Sequence, residues 1–180
     1  WIDVINKKTM ELEHRVMLNT FLPDKNYRFA HAINTPDMKN YLVVINKSTP
    51  KTKDGWSVTG EYDLYLLDMA ALEKDEAKIV KQNTIKGGNA GKTTTFLMSY
   101  TTDGKQILQS AADMMFTIDA ATLELVAKEN RQAGDNHDVI AVGTDGKYAL
   151  LTLRAPNDAI STEDKITDGW VQLYDLAKKE

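Results

Sequence analysis

Apolar and polar residues alternate along much of this chain with a period of two, the pattern of β-strands that bury one face. In four stretches the alternating run ends at Asn or Asp and a short turn follows. These stretches are WIDVINKKTMELEHRV from Trp1, DLYLLDMAALEKDEAKIV from Asp63, MFTIDAATLELVAKE from Met115 and WVQLYDLAKKE from Trp170. Their turn residues, Asn6, Asp68, Asp119 and Asp175, are 62, 51 and 56 positions apart. The pattern predicts one hairpin, repeated along the chain.

A second hairpin pattern alternates with the first. Its turns centre on Asp37, Asp103 and Asp145, and the last two read Asp-Gly-Lys between apolar runs. Asp-Gly in this setting is a strong hairpin pattern, because both central residues of such a turn must tolerate positive φ. Two hairpins in each repeat of about fifty residues predict four-stranded blades, so the fold class is an all-β propeller.

The segment LLDMAALEKDEAKIVKQ allows a different interpretation, because it is rich in good helix formers. Its partners in the repeat are β-branched or alternate with period two, as WIDVINKKT and WVQLYD do. The repeat therefore favours a strand between Met69 and Lys81.

The repeats predict about three and a half blades. Residues 1–20 form an outer hairpin, 21–85 and 86–131 form complete blades, and 132–180 form a blade that lacks its last strand. Ordinary propellers have at least four blades, so a second chain or a missing segment is expected to complete the ring. A start at Trp1, inside a blade, favours a fragment of a longer polypeptide.

Composition excludes several classes of function. A net charge of −4 over 180 residues argues against a broad nucleic-acid surface, and no apolar run is long enough to span a membrane. The chain has no cysteine, which excludes disulfides and thiolate ligands. The stretch KGGNAGKTTT departs from the phosphate-loop spacing and lies between strands, so we expect no nucleotide.

Two of the repeated segments, HDVIAVGTDGKYALLTL and FTIDAATLELVAKE, resemble a superfamily of propellers. It contains the YVTN-repeat proteins, the quinoprotein amine dehydrogenase propellers and the cytochrome nitrite reductase propellers. The resemblance covers nearly the whole chain and concerns the scaffold. It implies a periplasmic or extracellular protein associated with oxidoreductase chemistry, with haem or copper as possible cofactors and a redox protein as a possible partner.

Propeller geometry predicts where a site would lie, because the first strand of each blade lines the central channel. His31 and His137 precede or begin such strands, and their distances to Asp37 and Asp145 differ by two residues, which predicts a shared face of the strand. Long connections are predicted from Asn46 to Tyr62 and from Arg154 to Trp170, at the same end of the propeller. The candidate ligand-binding residues are His31, His137, Asn136, Asp138, Lys47, Arg154 and Trp56.

Two functional hypotheses follow. In the first, the propeller belongs to a redox enzyme, and His31 and His137 ligate a metal or haem, or act as acid–base groups. In the second, the propeller binds a protein or ligand without catalysis, and each histidine hydrogen-bonds neighbouring backbone. Two histidines alone do not complete a metal site.

Overall fold

The computed structural model describes residues 1–19, 27–52, 55–87, 98–111, 114–130, 136–154 and 170–180. Within them are thirteen strands and one helical turn. In chain order the elements are β1 (Ile2–Ile5), β2 (Leu12–Val16), β3 (Tyr27–Asn34), β4 (Asn40–Thr52), β5 (Gly55–Asp68), α1 (Met69–Leu72), β6 (Ile79–Lys86), β7 (Met98–Tyr100), β8 (Gln106–Ala111), β9 (Met114–Asp119), β10 (Leu125–Asn130), β11 (Asn136–Val142), β12 (Tyr148–Arg154) and β13 (Trp170–Asp175).

The strands form four antiparallel sheets in which each strand pairs with its neighbour in sequence. The leading hairpin is β1–β2, blade I is β3–β6, blade II is β7–β10, and blade III is β11–β13. Successive four-stranded meanders, each packed on the next, are the blades of a propeller. The predicted fold class, a section of an all-β propeller, is confirmed.

The turns of the outer hairpins repeat almost atom for atom. Asp119 accepts hydrogen bonds from the backbone nitrogens of Ala121 (2.9 Å) and Thr122 (2.7 Å), and Leu123 closes the turn with a φ of 62°. Asn6 and Asp175 accept the equivalent bonds at their own turns. An Asn or Asp side chain that bonds backbone two and three residues ahead favours a turn over a continued strand, which explains the repeated residue type.

The outer turn after Asp68 differs from the other three and corrects one prediction. Met69–Leu72 is a single helical turn, with Asp68 accepting from the nitrogen of Ala71, and β6 begins only at Ile79. The strand predicted from Met69 to Lys81 is therefore wrong for its first part. The connection is longer here, and its alanines, leucine and N-cap aspartate favour a helical turn locally.

The inner turns also repeat. Thr35 donates to Asp37 (2.7 Å) and Thr101 donates to Asp103 (2.8 Å). In the two Asp-Gly turns positive φ occurs at the glycine, Gly104 (69°) and Gly146 (68°), and not at the aspartate. The aspartates instead accept backbone hydrogen bonds two residues ahead, which does not require a left-handed conformation.

Inner turns of successive blades lie against each other in chain order. The hydroxyl of Thr102 in blade II donates to the carbonyl of Gly143 in blade III at 2.6 Å. A Cβ built on Gly104 would lie 3.4 Å from Cγ of Pro36 in blade I, and one built on Gly146 would lie 3.7 Å from Cβ of Thr102. This repeated contact places the three blades side by side about one axis.

Three apolar cores hold the sheets together. The core between blades I and II contains Leu42, Val44, Leu64, Ile107 and Phe116, all almost fully buried. A second core joins the leading hairpin to the opposite face of blade I, and a third joins blades II and III. Both faces of blades I and II are thus covered, as expected for interior blades. None of the described helices is long and apolar enough to cross a membrane.

The segment from Asn46 to Tyr62, predicted as a long loop, is mostly strand. β4 and β5 continue as a paired ribbon in which Ser48 is opposite Val58 and Thr52 is opposite Gly55. Two register shifts interrupt the ribbon, and Pro50 lies beside the second of them. Threonine, which recurs in this segment, favours strands, and a proline is tolerated next to a bulge. The other predicted connection, 155–169, lies outside the described residues.

Candidate functional site

The two candidate histidines lie on innermost strands. β3 and β11 each form one edge of their sheet, the position that lines the channel of a propeller. His31 is in the middle of β3, opposite Val44, so the expectation that it precedes or begins the strand is wrong. His137 is the second residue of β11, opposite Leu153. That these residues form a site stays a prediction.

A bulge changes the register between the two histidines. Val139 pairs with Leu151 and Ala141 with Leu150, so one extra residue is inserted in β11. Val44 is four residues after the first residue of β4, whereas Leu153 is five residues after the first residue of β12. The backbone positions of the two histidines therefore differ in parity along the paired strand, and the predicted shared face of their side chains stays a prediction. A β-bulge has this consequence because side chains alternate strictly with each residue.

His31 belongs to the face of blade I that packs on blade II. Residues directly opposite in an antiparallel pair have their side chains on the same face. His31 is opposite Val44, a member of the core between blades I and II, and Asn46 follows Val44 on the same face of β4. His31 is partly buried and interacts with neighbouring groups of the chain. An imidazole thus lies at the channel side of this interface.

Two amides are buried in the same interface, and sequence reasoning did not identify them. Asn46 and Gln109 are 0% exposed, and within the described part of the chain no polar atom of either amide has a hydrogen-bond partner. Gln109 is two residues from Ile107 on β8, so both side chains lie on the same face of the strand. Because Ile107 belongs to the core between blades I and II, Gln109 faces blade I. A polar residue that directly follows a continuous apolar run, as in YLVVIN, is the sequence feature that could have identified Asn46.

Lys47 belongs to an ion-pair cluster, which we define as Lys47, Glu61, Asp63, Thr84 and Lys86. The ammonium of Lys47 is 3.2 Å from Asp63 and 3.7 Å from Glu61, and Lys86 is 3.2 Å from the other oxygen of Glu61. Asp63 is only 4% exposed and accepts a 2.6 Å hydrogen bond from Thr84. Lys47 is therefore held by two carboxylates. Its predicted role as a ligand-binding residue is untested.

The other candidate residues are located through their backbone pairing alone. Trp56 is in β5, opposite Pro50, so the expectation that it lies in a loop is wrong. Asn136 and Arg154 are opposite each other at one end of blade III, and Asp138 is opposite Thr152. These strands bring Asn136, His137, Asp138 and Arg154 to one end of one blade.

The described side chains do not contain a group of three or more His, Asp or Glu residues that could hold a metal ion. Haem or copper bound through His31 would need ligands beyond this set. The polar groups that are present on this interface, one imidazole and two carboxamides, are typical of hydrogen-bonding sites. The described residues alone therefore do not provide a complete metal site.

The opposite end of the interface carries carboxylates. A cleft of about 720 Å³ between the turns of blades I and II is lined by Asp37, Asp103, Asp119 and Tyr100, among others. Hydrogen bonds hold the pKa of each aspartate below its usual value, from the Thr35 hydroxyl at Asp37 and from backbone nitrogens at the other two. Burial, with the charge of Asp37, raises the pKa of Tyr100 to about 12.

No protein-family model matches the chain, and no curated protein matches it in sequence. Solved structures do. Prolyl oligopeptidase B from Galerina marginata is 14% identical with a TM-score of 0.50, over 95% of this chain and 23% of that one. Dihydro-haem d1 dehydrogenase NirN is 13% identical with a TM-score of 0.47, over 99% and 31%. Hsv2 of Kluyveromyces lactis is 15% identical with a TM-score of 0.39, over 84% and 53%.

The chain thus spans from about a quarter to about half of these proteins. At such low identities a structural similarity is informative about the fold alone. Among the three proteins, only the peptidase has a TM-score high enough, 0.50, to support a shared fold. The comparison supports a partial propeller.

Proposed function

We propose that the chain is a section of a ligand-binding β-propeller, with the ligand at the channel side of blades I and II beside His31. The observation that carries this proposal is the position of His31. It is partly buried on an innermost strand, on the same face of blade I as Asn46. An imidazole in such a place can donate or accept a hydrogen bond or ligate a metal.

The ligand differs between two versions of this function. In the first, His31 and His137 ligate haem or copper in an oxidoreductase that exchanges electrons with a redox partner protein. Both metals accept imidazole ligands. In the second, the same position binds a ligand through hydrogen bonds without catalysis. Export to the periplasm or the cell exterior, and membership in the propeller superfamily that the sequence resembles, belong to the proposal as well.

Added copper(II) and haemin are suitable probes for the first version. We expect both to bind the unmodified protein, and His31→Ala to weaken binding by about tenfold or more, which corresponds to 1.4 kcal/mol. His14→Ala is the matched control, because His14 lies on β2 in the leading hairpin and contacts the carbonyl of Glu73. Absorption spectra and metal analysis provide the measurement.

The results separate the two versions. A Soret band or stoichiometric copper that disappears in His31→Ala and His137→Ala supports the redox version. A colourless protein that binds neither probe contradicts that version. Equal binding of either probe by His31→Ala and by His14→Ala would contradict a metal-binding role for His31.

Partner binding is a second candidate function, and the uncovered face of blade III favours it. On this face Leu150 is opposite Leu173, and Val171 and Leu173 are 60% and 62% exposed. The equivalent faces of blades I and II are covered by the next blade. We propose that a further blade, from a missing segment or a second chain, covers it, since contiguous exposed apolar surface marks interfaces.

Sedimentation analysis tests this second proposal. We expect the chain to self-associate or to bind a longer partner, and Leu173→Lys to abolish the association. Val80→Lys is the control, because Val80 is 50% exposed on β6, away from this face. A monodisperse monomer whose sedimentation is unchanged by Leu173→Lys would contradict the proposed docking.

A further inference from the structure

Asn46 and Gln109 flank one aromatic contact from two different blades. Asn46 is opposite Tyr62 in blade I, and Gln109 is opposite Phe116 in blade II. The rings of Tyr62 and Phe116 meet edge to face, with centroids 5.6 Å apart. Because β4 and β8 lie closer to the channel than β5 and β9, both amides lie on the channel side of this ring pair.

Each amide presents a donor and an acceptor that have no hydrogen-bond partner among the described residues. The unpartnered atoms are Nδ2 and Oδ1 of Asn46 and Nε2 and Oε1 of Gln109, and all four are shielded from bulk solvent. Buried polar groups in folded proteins almost always have partners, because an unpaired buried amide is costly. Four such atoms in one interface therefore require a partner.

Water fits these atoms better than an external ligand. It offers both donors and acceptors, and it can be enclosed as two blades pack together. A ligand that arrived later from the channel would have to pass between β3 and β7, the innermost strands of the two blades. Folded proteins enclose about one water per 27 residues, each with about three hydrogen bonds, so a small cluster is usual for a chain of this size.

We propose that Asn46 and Gln109 share a cluster of ordered water that bridges blades I and II on the channel side of the ring pair. The water replaces the direct polar contact that the two amides lack. It connects the two blades by hydrogen bonds in the same interface that His31 faces. This inference does not depend on the ligand proposed above, since the water is part of the folded protein.

A crystal structure of the unmodified chain at about 1.5 Å tests the proposal directly. We expect ordered water within 2.7–3.2 Å of a polar atom of each amide, with the two sets connected. Amides bonded directly to each other or to other groups of the chain would overturn the proposal. Apolar atoms packed against all four polar atoms would also overturn it.

A double-mutant cycle tests whether the amides share their water. Asn46→Leu and Gln109→Leu should each lower Tm by several degrees, about 2–4 °C for each kcal/mol in a chain of this length. The double variant should lose less than the sum, because no amide is then left unpaired. Gln82→Leu, on the exposed side of β6, should change Tm little. Strictly additive losses would contradict a shared cluster, and if a variant does not fold, the structure of the unmodified chain decides.

Discussion

Blade I buries a carboxylate on the face toward the leading hairpin and an amide on the face toward blade II. The carboxylate, Asp63, receives a hydroxyl hydrogen bond from Thr84 and an ion pair from Lys47. The amide, Asn46, has no hydrogen-bond partner among the described residues. A charge cannot be buried without partners supplied by the protein, whereas a neutral amide can rely on enclosed water. The two faces therefore depend on different interactions.

The largest expected effect comes from the face toward blade II. Phe116 is fully buried against Tyr62, so Phe116→Ala should lower the free energy of unfolding by about 3–5 kcal/mol through lost packing and a cavity. The loss should not depend on salt. Urea unfolding measures it, with Val126→Ala on the exposed side of β10 as control. A loss below about 1 kcal/mol would contradict apolar packing as the main interaction of this face.

Asp63→Ala should have the next largest effect. It leaves the ammonium of Lys47, which is only 28% exposed, with one carboxylate instead of two, and it removes the acceptor of Thr84. We expect a loss of about 2–3 kcal/mol, smaller at high salt because the ion pair is partly solvated. Asp3→Ala, which breaks an exposed pair with Arg15, is the control. Equal losses for both variants would contradict the importance of burial.

Single hydroxyl deletions should have opposite consequences on the two faces. Thr84→Val removes a donor to the buried Asp63 and should cost about 1 kcal/mol. Tyr100→Phe removes a buried hydroxyl that has no partner among the described residues of the interface with blade I, so it should be neutral or slightly stabilising. Thermal unfolding of the two variants provides the comparison. A clear loss for Tyr100→Phe would show that its hydroxyl has a partner.

The smallest effect is a loss of stability in alkali. The pKa of Tyr100 is raised to about 12 by burial and by Asp37, whereas an unfolded tyrosine titrates near 10. The contribution of the Tyr100 hydroxyl to the free energy of unfolding is therefore complete below about pH 10. It is lost as the pH rises toward 12, because this hydroxyl loses its proton at a lower pH in the unfolded chain than in the folded one. Tyr100→Phe should reduce this loss. Exposed Tyr148→Phe should not.

The sequence predicts the fold well because the information for it is local and repeated. Asn6, Asp119 and Asp175 each determine a turn through their own side-chain hydrogen bonds, so the hairpins could be located without the structure. The predicted boundaries near residues 20 and 131 stay predictions, since those positions lie at or within segments outside the described residues.

The site is less predictable because it depends on register and on packing between blades. The bulge after Val139 has no residue pattern that marks it in the sequence, yet it shifts the backbone register of β11 by one residue. Burial of Asn46 and Gln109 follows from blades that cover both faces of β4 and β8. A polar residue in a strand normally indicates a solvent-exposed face, so these two amides were missed.

The central claim is that the three blades lie side by side in chain order about one axis, and engineered disulfides test it most directly. The chain has no cysteine, so any bond that forms is the introduced one. In Thr102→Cys with Gly146→Cys the Cβ atoms would be 3.7 Å apart, close to the disulfide mean of about 3.8 Å. We predict rapid oxidation of this pair, despite the strain of cysteine at a φ of 68°. Pro36→Cys with Gly146→Cys, which joins blades I and III, should remain reduced. Preferential cross-linking of the second pair would contradict the propeller order.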